Sequence, residues 1–271
     1  MKPQALLSLT LSSFLLASCS GLNLVGNEMV YLSRSPKADA YYHFIQAERL
    51  RHKIVDLSFE EPSQEVRKRL ETLLREAERE YGLAKENDPR SSTILEQHGR
   101  LLLQAGQEGR GTALLEQAVA LDPKKGQTVY PSLGSFFFVR GRYEAATRYY
   151  ERALPYYASA PLKRAALQVS LGISYHHLGR HPAAIRHLEQ ATTVSLPLRL
   201  HLSAEFFKAT SYYFLHDFGR SLAALENVER LFKGLTFQQV KEQGLIPLLE
   251  LIEQTNLRQK LHDAQQKNPR P

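Results

Sequence analysis

Histidines are concentrated in one stretch of the chain, at His176, His177, His181 and His187. Two histidines four residues apart on one helix can hold a metal ion between them. Gly179 and Pro182, however, predict a turn between His177 and His181, so these two side chains should not share a helical face. We therefore predict no metal site, and we expect the histidines to lie on the surface or to line a groove.

Catalytic motifs are absent from the sequence. It contains no glycine-rich phosphate loop, no Gly-x-Ser-x-Gly turn and no His-Glu-x-x-His pair. Carboxylates are numerous, but they fall on helix faces that should be exposed, and no acid–base pair stands out. We therefore predict a protein that is not an enzyme and needs no cofactor.

The only cysteine, Cys19, follows a short basic start and an apolar run from Ala5 to Leu16. This pattern is typical of a secretory signal, and the run is shorter than the roughly 20 residues of a membrane span. The sequence Leu16-Ala17-Ser18-Cys19 resembles the lipobox of bacterial lipoproteins. The resemblance implies cleavage before Cys19 and a diacylglycerol on its thiol. The alternative is an ordinary secreted protein with an incidental cysteine.

The residues after the cleavage site bear on location and attachment. In lipoproteins a serine after the cysteine, here Ser20, implies sorting to the outer membrane of a two-membrane bacterium, facing the periplasm. Acyl chains at Cys19 would hold the protein on the bilayer. The following stretch contains several apolar residues, and we hypothesise that Met29–Leu32 docks either on the protein's own first repeat or on a partner.

The histidines belong to a repeating pattern. Small residues recur at intervals of 34, 35, 38 and 37 residues, at Ala84, Ala118, Ala153, Ala191 and Val228. A period of this length is typical of stacked helical repeats. The sequence therefore predicts pairs of helices that pack against the next pair in line.

Other positions recur with the small residues. One unit consists of Tyr130, Leu133, Gly134, Phe137, Gly141, Ala146, Tyr150 and Ala153, and the next of Gln168, Leu171, Gly172, Tyr175, Gly179, Ala184, Leu188 and Ala191. This pattern resembles the tetratricopeptide repeat (TPR) over roughly residues 60 to 233. The resemblance implies an all-α fold, a TPR-type α-solenoid of about five helix-turn-helix repeats with a C-terminal capping helix.

Glycine and proline mark where the helices should meet and end. One set of glycines should allow two helices to approach closely, namely Gly99, Gly134 and Gly172. A second set should end the first helix of each pair in left-handed backbone, namely Gly106, Gly141 and Gly179. Asp88-Pro89 and Asp122-Pro123 should stop second helices, and Pro182 should begin one.

These patterns predict a division of the chain. It comprises a cleaved signal peptide (1–18), a membrane tether (19–37), a TPR array (38–233), capping helices (234–264) with a break at Pro247, and a disordered tail (265–271). The first helix should span Ala38–Ile54, and the second should begin at Ser63 as its N-cap.

The TPR resemblance also implies a binding site. In TPR arrays, certain positions of each first helix line a concave groove that holds a partner's peptide or helix. Carried onto this chain, the partner-binding groove comprises Arg100, Leu103, Phe138, Val169, Ile173, His177, Phe206 and Tyr213. Only Arg100 fits the basic and amide residues of TPRs that clamp a carboxylate terminus, so that subfamily is excluded.

Charge adds little to the choice of partner. The formal net charge of +7 falls to +6 when the signal, with Lys2, is removed. No basic run of the kind that binds nucleic acid is present.

We predict a periplasmic, membrane-anchored scaffold that binds envelope proteins of secretion, pilus or cell-wall machinery. The alternative is a lipoprotein that binds lipid or glycan through the aromatic groove.

Overall fold

A computed structural model describes residues 22–25, 28–31 and 35–267. The predicted signal peptide and the lipid attachment at Cys19 lie outside the described residues. The chain divides into two compact units, Met1–Lys125 and Gly126–Pro271.

The first unit contains two strands and two helical hairpins among its described residues. The strands β1 (Leu22–Val25) and β2 (Glu28–Tyr31) pair antiparallel, with Leu22 opposite Tyr31. The helices are α1 (Pro36–Leu57), α2 (Gln64–Asn87), α3 (Ser92–Gln104) and α4 (Glu108–Leu121), followed by a 3₁₀ turn at Pro123–Lys125. Helix α1 packs along α2, and α3 packs along α4.

The second unit contains three helical hairpins and a helical C-terminal segment. The hairpins are formed by α5 (Gly126–Phe138) with α6 (Tyr143–Ala153), α7 (Pro161–His177) with α8 (His181–Ala191), and α9 (Leu198–Phe214) with α10 (Phe218–Phe232). A 3₁₀ turn spans Leu154–Tyr157. Three further helices are α11 (Phe237–Glu242), α12 (Ile246–Thr255) and α13 (Leu257–Lys267). The predicted all-α, TPR-type fold of about five repeats is confirmed.

Local chemistry explains where these helices begin and end. Ser35, Ser63 and Ser91 are N-caps, and each side chain accepts a hydrogen bond from the backbone N–H three residues later. The turn glycines Gly106, Gly141 and Gly179 have φ of +77°, +70° and +68°. These values are left-handed, as predicted, and they let the chain reverse at the end of each first helix.

Glycine also permits close packing inside the hairpins. A Cβ on Gly134 would lie 2.5 Å from ring atoms of Tyr150, and one on Gly172 would lie 2.4 Å from Cγ of Leu188. Neither position has room for a side chain, because the facing helix occupies that space. The predicted close approach is confirmed at both glycines.

The recurring small residues are buried in the core. Ala84, Ala118, Ala153 and Ala191 have no accessible surface, and Val228 is almost as enclosed. Their burial removes apolar surface from water, which stabilises the stack of helices within each unit.

The C-terminal segment is interrupted twice. Helix α11 ends at Glu242 and α12 begins at Ile246, so Pro247 lies in the first turn of the helix that follows the first break, where its missing N–H costs nothing. The second break falls at Asn256, whose left-handed backbone (φ 46°) separates α12 from α13. Helix α13 continues to Lys267, so residues 265–267 do not belong to a disordered tail, and residues 268–271 lie outside the described part of the chain.

Among the described residues, no helix combines the length and the apolar character that crossing a bilayer requires.

Candidate interaction surface

Aromatic and imidazole rings flank the turn of each hairpin in the second unit. Phe138 ends α5 and Tyr143 begins α6. In the next hairpin, His177 ends α7 and His181 begins α8. In the third, Phe214 ends α9 and Phe218 begins α10. The repeat therefore places rings at equivalent positions of three successive turns.

These rings contact one another from hairpin to hairpin. Tyr143 stacks on His177, with ring centroids 4.4 Å apart and planes 10° apart. Phe207 of α9 lies edge-on to both His177 and His176, at 5.7 and 5.2 Å. His181 stacks on Phe214 at 4.8 Å. We call this set the aromatic–histidine surface, comprising Phe138, Tyr143, His176, His177, His181, Phe207, Tyr213, Phe214 and Phe218.

Part of the aromatic–histidine surface and its border is open to solvent. The side chain of Phe214 is 57% exposed, and the neighbouring Leu215 is 43% exposed. Next to Phe138, Val139 is 74% exposed. Apolar groups that are clustered and accessible in this way commonly mark a protein-binding site.

The pKa values of the histidines on the surface are lowered, which favours their uncharged forms. Burial, followed by the nearby imidazoles of His181 and His177, lowers the pKa of His176 to about 4. Burial also lowers the pKa values of His177 and His181. The Nδ1 atom of His176 lies 2.9 Å from Oγ of Ser211, which fixes the ring.

The predicted turn separates His177 from His181, but it brings His176 beside His181, with ring centroids 5.2 Å apart. Within the part of the chain that the structure describes, no three His, Cys, Asp or Glu side chains converge as a metal site requires. We expected His187 to lie on the surface or to line a groove. It is instead buried, and its ring stacks on that of Tyr175 with a centroid distance of 5.5 Å.

The predicted groove residues do not all lie at one site in the structure. Three of them lie on the aromatic–histidine surface, namely Phe138, His177 and Tyr213. Ile173 is partly buried against the core of the same unit. Arg100 of the first unit is half-buried and pairs with Glu96 at 3.0 Å.

The remaining three groove residues are core residues. Val169 and Phe206 are each 1% exposed, and Leu103 is 7% exposed. The prediction that a partner contacts these side chains conflicts with their burial, because side chains with so little accessible surface offer a partner almost no contact area. Their apolar character stabilises the packing of the helices instead.

Sequence reasoning missed several members of the aromatic–histidine surface. Tyr143 and Phe218 were not among the expected groove residues, because they begin second helices and not first ones. A signal was nevertheless present in the second unit. Gly141 is followed two residues later by Tyr143, Gly179 by His181, and His216, which is also left-handed, by Phe218.

Comparisons with known proteins agree with this fold. Residues 128–196 match the family model of the tetratricopeptide repeat. A search of curated proteins found no match. The chain is therefore similar to TPR proteins, and TPR domains in general bind other proteins.

Solved structures resemble the chain at low identity. The crystal structure of MamA is 17% identical, with a TM-score of 0.52, over 76% of this chain and 94% of that chain. BtubC from P. vanneervenii is 18% identical (TM-score 0.48; 73% and 93% covered), and PilF of Pseudomonas aeruginosa is 14% identical (TM-score 0.44; 88% and 96% covered). At 17% identity the likeness to MamA concerns the fold alone.

Proposed function

We propose that this protein is a scaffold of the bacterial envelope, which binds a segment of another protein on the aromatic–histidine surface. The observation that carries the proposal is the chain of ring contacts through three hairpins, from Phe138 to Phe218. Rings that neighbouring hairpins hold in place lose little freedom when a partner binds, and aromatic residues are frequent hot spots of binding.

The location is proposed from the sequence. The Leu16-Ala17-Ser18-Cys19 motif supports an acyl anchor on Cys19, and Ser20 supports the outer membrane, facing the periplasm. Partners would then be envelope proteins of secretion, pilus or cell-wall machinery. The domain division given above, with a tether over residues 19–37 but without residues 265–267 in the tail, belongs to the same proposal.

The test of the proposal compares two variants of the full chain. In the first, Tyr143→Ala is combined with Phe214→Ala, which removes rings from two hairpins of the surface. In the second, Phe237→Ala removes a ring that is 73% exposed on α11, outside the surface. After cross-linking in envelope extracts, the first variant should lose the proteins that co-purify with the natural chain, and the second should keep them.

Circular dichroism should show that both variants remain folded. Retention of all partners by the folded Tyr143→Ala/Phe214→Ala variant would contradict the proposal. Loss of the same partners by Phe237→Ala would place the contact elsewhere.

One observation favours lipid binding as a second candidate function. A cavity of about 440 Å³ lies between α10, α12 and α13, and its apolar lining includes Val228, Phe232, Leu249, Ile252 and Leu257. This volume falls within the range of small-molecule sites. Oleate should then raise the melting temperature of the acyl-free protein, and it should raise that of Ile252→Trp less, because the indole ring occupies part of the cavity. Equal shifts for both proteins would exclude this site.

A further inference from the structure

A cavity of about 490 Å³ lies in the first unit, between helices α2, α3 and α4. Helix α2 supplies most of its lining, while His98 comes from α3 and Arg110 from α4. The volume falls within the range of small-molecule sites. The aromatic–histidine surface belongs to the second unit, so the partner segment proposed above does not account for this cavity.

Positive charge predominates around the cavity. Its lining contains four cations and two carboxylates, a net charge of +2, namely Arg75, Arg79, Lys85, Arg110, Glu78 and Glu86. Arg110 is paired with Glu78, at 2.7 Å between Nη1 and Oε1. Arg79 and Lys85, in contrast, form no ion pair with a carboxylate of the described residues. These two cations can therefore bind an anion without breaking an existing pair.

One wall of the cavity contains a glycine that packing does not explain. Gly82 lies in the interior of α2, where glycine is less favourable than alanine. A Cβ added there would meet nothing within 4 Å, and the backbone is not left-handed. Gly109 and Gly219 also have open space around them, but they lie in the first turns of their helices. Close approach of a ligand to the backbone is a further reason for glycine.

A buried imidazole also lines the cavity. His98 is 3% exposed and stacks on Tyr81, with ring centroids 5.6 Å apart. Both of its ring nitrogens are buried and have no hydrogen-bond partner among the described residues. Burial, followed by the nearby charge of Lys85, lowers its pKa to about 4, which favours the uncharged ring with one N–H. A buried polar group without a partner commonly indicates a bound ion or water, and an oxyanion in the cavity would supply an acceptor.

We infer that this cavity binds the phosphate of a phosphomonoester. Arg79 and Lys85 pair with the phosphate oxygens, and His98 supplies a hydrogen-bond donor from the cavity wall. The missing side chain at Gly82 leaves room for the ligand. A phosphomonoester carries a charge of about −1.5 to −2 at pH 7, which matches the net charge of the lining, whereas one carboxylate would balance only half of it. The site goes beyond the proposed function, because it uses residues of the first unit alone.

The test is calorimetric titration of the full chain with glycerol 1-phosphate. Arg79→Gln combined with Lys85→Gln should lower the affinity about tenfold or more, because two charge-assisted contacts are lost. The control combines Lys53→Gln with Arg67→Gln, which removes the same charge from exposed positions of α1 and α2 outside the cavity. This control should stay within about twofold of the natural chain.

A second pair of variants tests the space in the cavity without changing its charge. Gly82→Leu should weaken binding about fivefold or more, because the added side chain occupies room that the ligand needs. The variant should remain folded, since nothing lies within 4 Å of the added Cβ. Gly219→Leu is the matched control, because it adds the same side chain to an equally open position of α10 and should leave the affinity unchanged.

Dihexanoyl phosphatidic acid, titrated in the same way, distinguishes two sources of the phosphate. Binding about tenfold tighter than that of glycerol 1-phosphate would support a lipid headgroup, and equal or weaker binding would support a soluble phosphomonoester. The inference is overturned if the natural chain binds neither compound. It is also overturned if the two double variants lose affinity equally, because the effect would then reflect overall charge and not this cavity.

Discussion

The ring of Tyr143 lies parallel to the imidazole of His177 at a centroid distance of 4.4 Å, and this stack joins the first hairpin of the second unit to the next. Tyr143 begins a second helix, whereas His177 ends a first helix. The contact therefore connects two hairpins at the turns, where side chains of the proposed binding surface are also exposed.

Removal of this stack should weaken the second unit. Tyr143→Ala should lower the free energy of unfolding in urea by about 1 kcal/mol or more, because the ring contact and its buried area are both lost. Tyr143→Phe keeps the ring and should stay within about 0.5 kcal/mol of the natural chain. Equal losses in the two variants would mean that the hydroxyl, and not the stack, stabilises this position.

Addition of one methyl group at Gly134 should be more damaging than its size suggests. A Cβ there would lie 2.5 Å from the Tyr150 ring, so Gly134→Ala should cost about 1–3 kcal/mol of stability. Gly219 is the matched control, because it lies in helix α10 with nothing within 4 Å of its added Cβ. Gly219→Ala should be neutral or slightly stabilising. Urea titrations that rank the two variants in the opposite order would contradict the packing described here.

Stability should decrease in mild acid because of His176. Its pKa in the folded protein is about 4, below the usual 6.5, so the unfolded chain takes up a proton first as the pH falls. The stabilisation is complete above pH 6.5, is lost between pH 6.5 and 4, and changes no further below pH 4. One proton contributes a slope of at most about 1.4 kcal/mol per pH unit.

The variant that checks this effect is His176→Asn, which retains a polar atom near Oγ of Ser211. Its unfolding free energy, measured by urea titration from pH 4 to 7, should depend less steeply on pH than that of the natural chain. His98, whose pKa burial also lowers to about 4, should account for part of the slope that remains. Identical slopes for the variant and the natural chain would show that His176 is not responsible.

Attachment to the membrane should depend on one sulfur atom. Cys19→Ser removes the only cysteine, so the full chain should move from the membrane fraction to the soluble fraction when cells are separated by ultracentrifugation. The Ser20→Ala variant is a suitable control, because it keeps the thiol and should remain with the membranes. Retention of Cys19→Ser in the membrane fraction would contradict an acyl anchor.

The elements of this fold could be predicted because backbone constraints leave clear marks in a sequence. Gly141 and Gly179 occupy left-handed positions that other residues avoid, and Gly134 and Gly172 stand where the facing helix excludes a side chain. The strands β1 and β2 were missed, although the intervening Gly26-Asn27 is typical of a tight hairpin between apolar segments.

The candidate site was harder to predict because periodicity does not report exposure. Val169 and Phe206 match groove positions of the repeat, but the surrounding helices bury both. Conversely, Tyr143 lies outside the pattern of first-helix positions, and only the three-dimensional arrangement places it against His177. Contacts between successive repeats depend on how the helices pack, which the pattern of any one repeat does not encode.

The central claim is that a protein segment binds the aromatic–histidine surface. Its most direct test is amide hydrogen exchange of the full chain, measured with and without a peptide selected on that chain from a display library. The account predicts slower exchange at the three turns, over residues 138–143, 176–181 and 213–218, and little change elsewhere. Slower exchange confined to other parts of the chain would contradict binding at the aromatic–histidine surface.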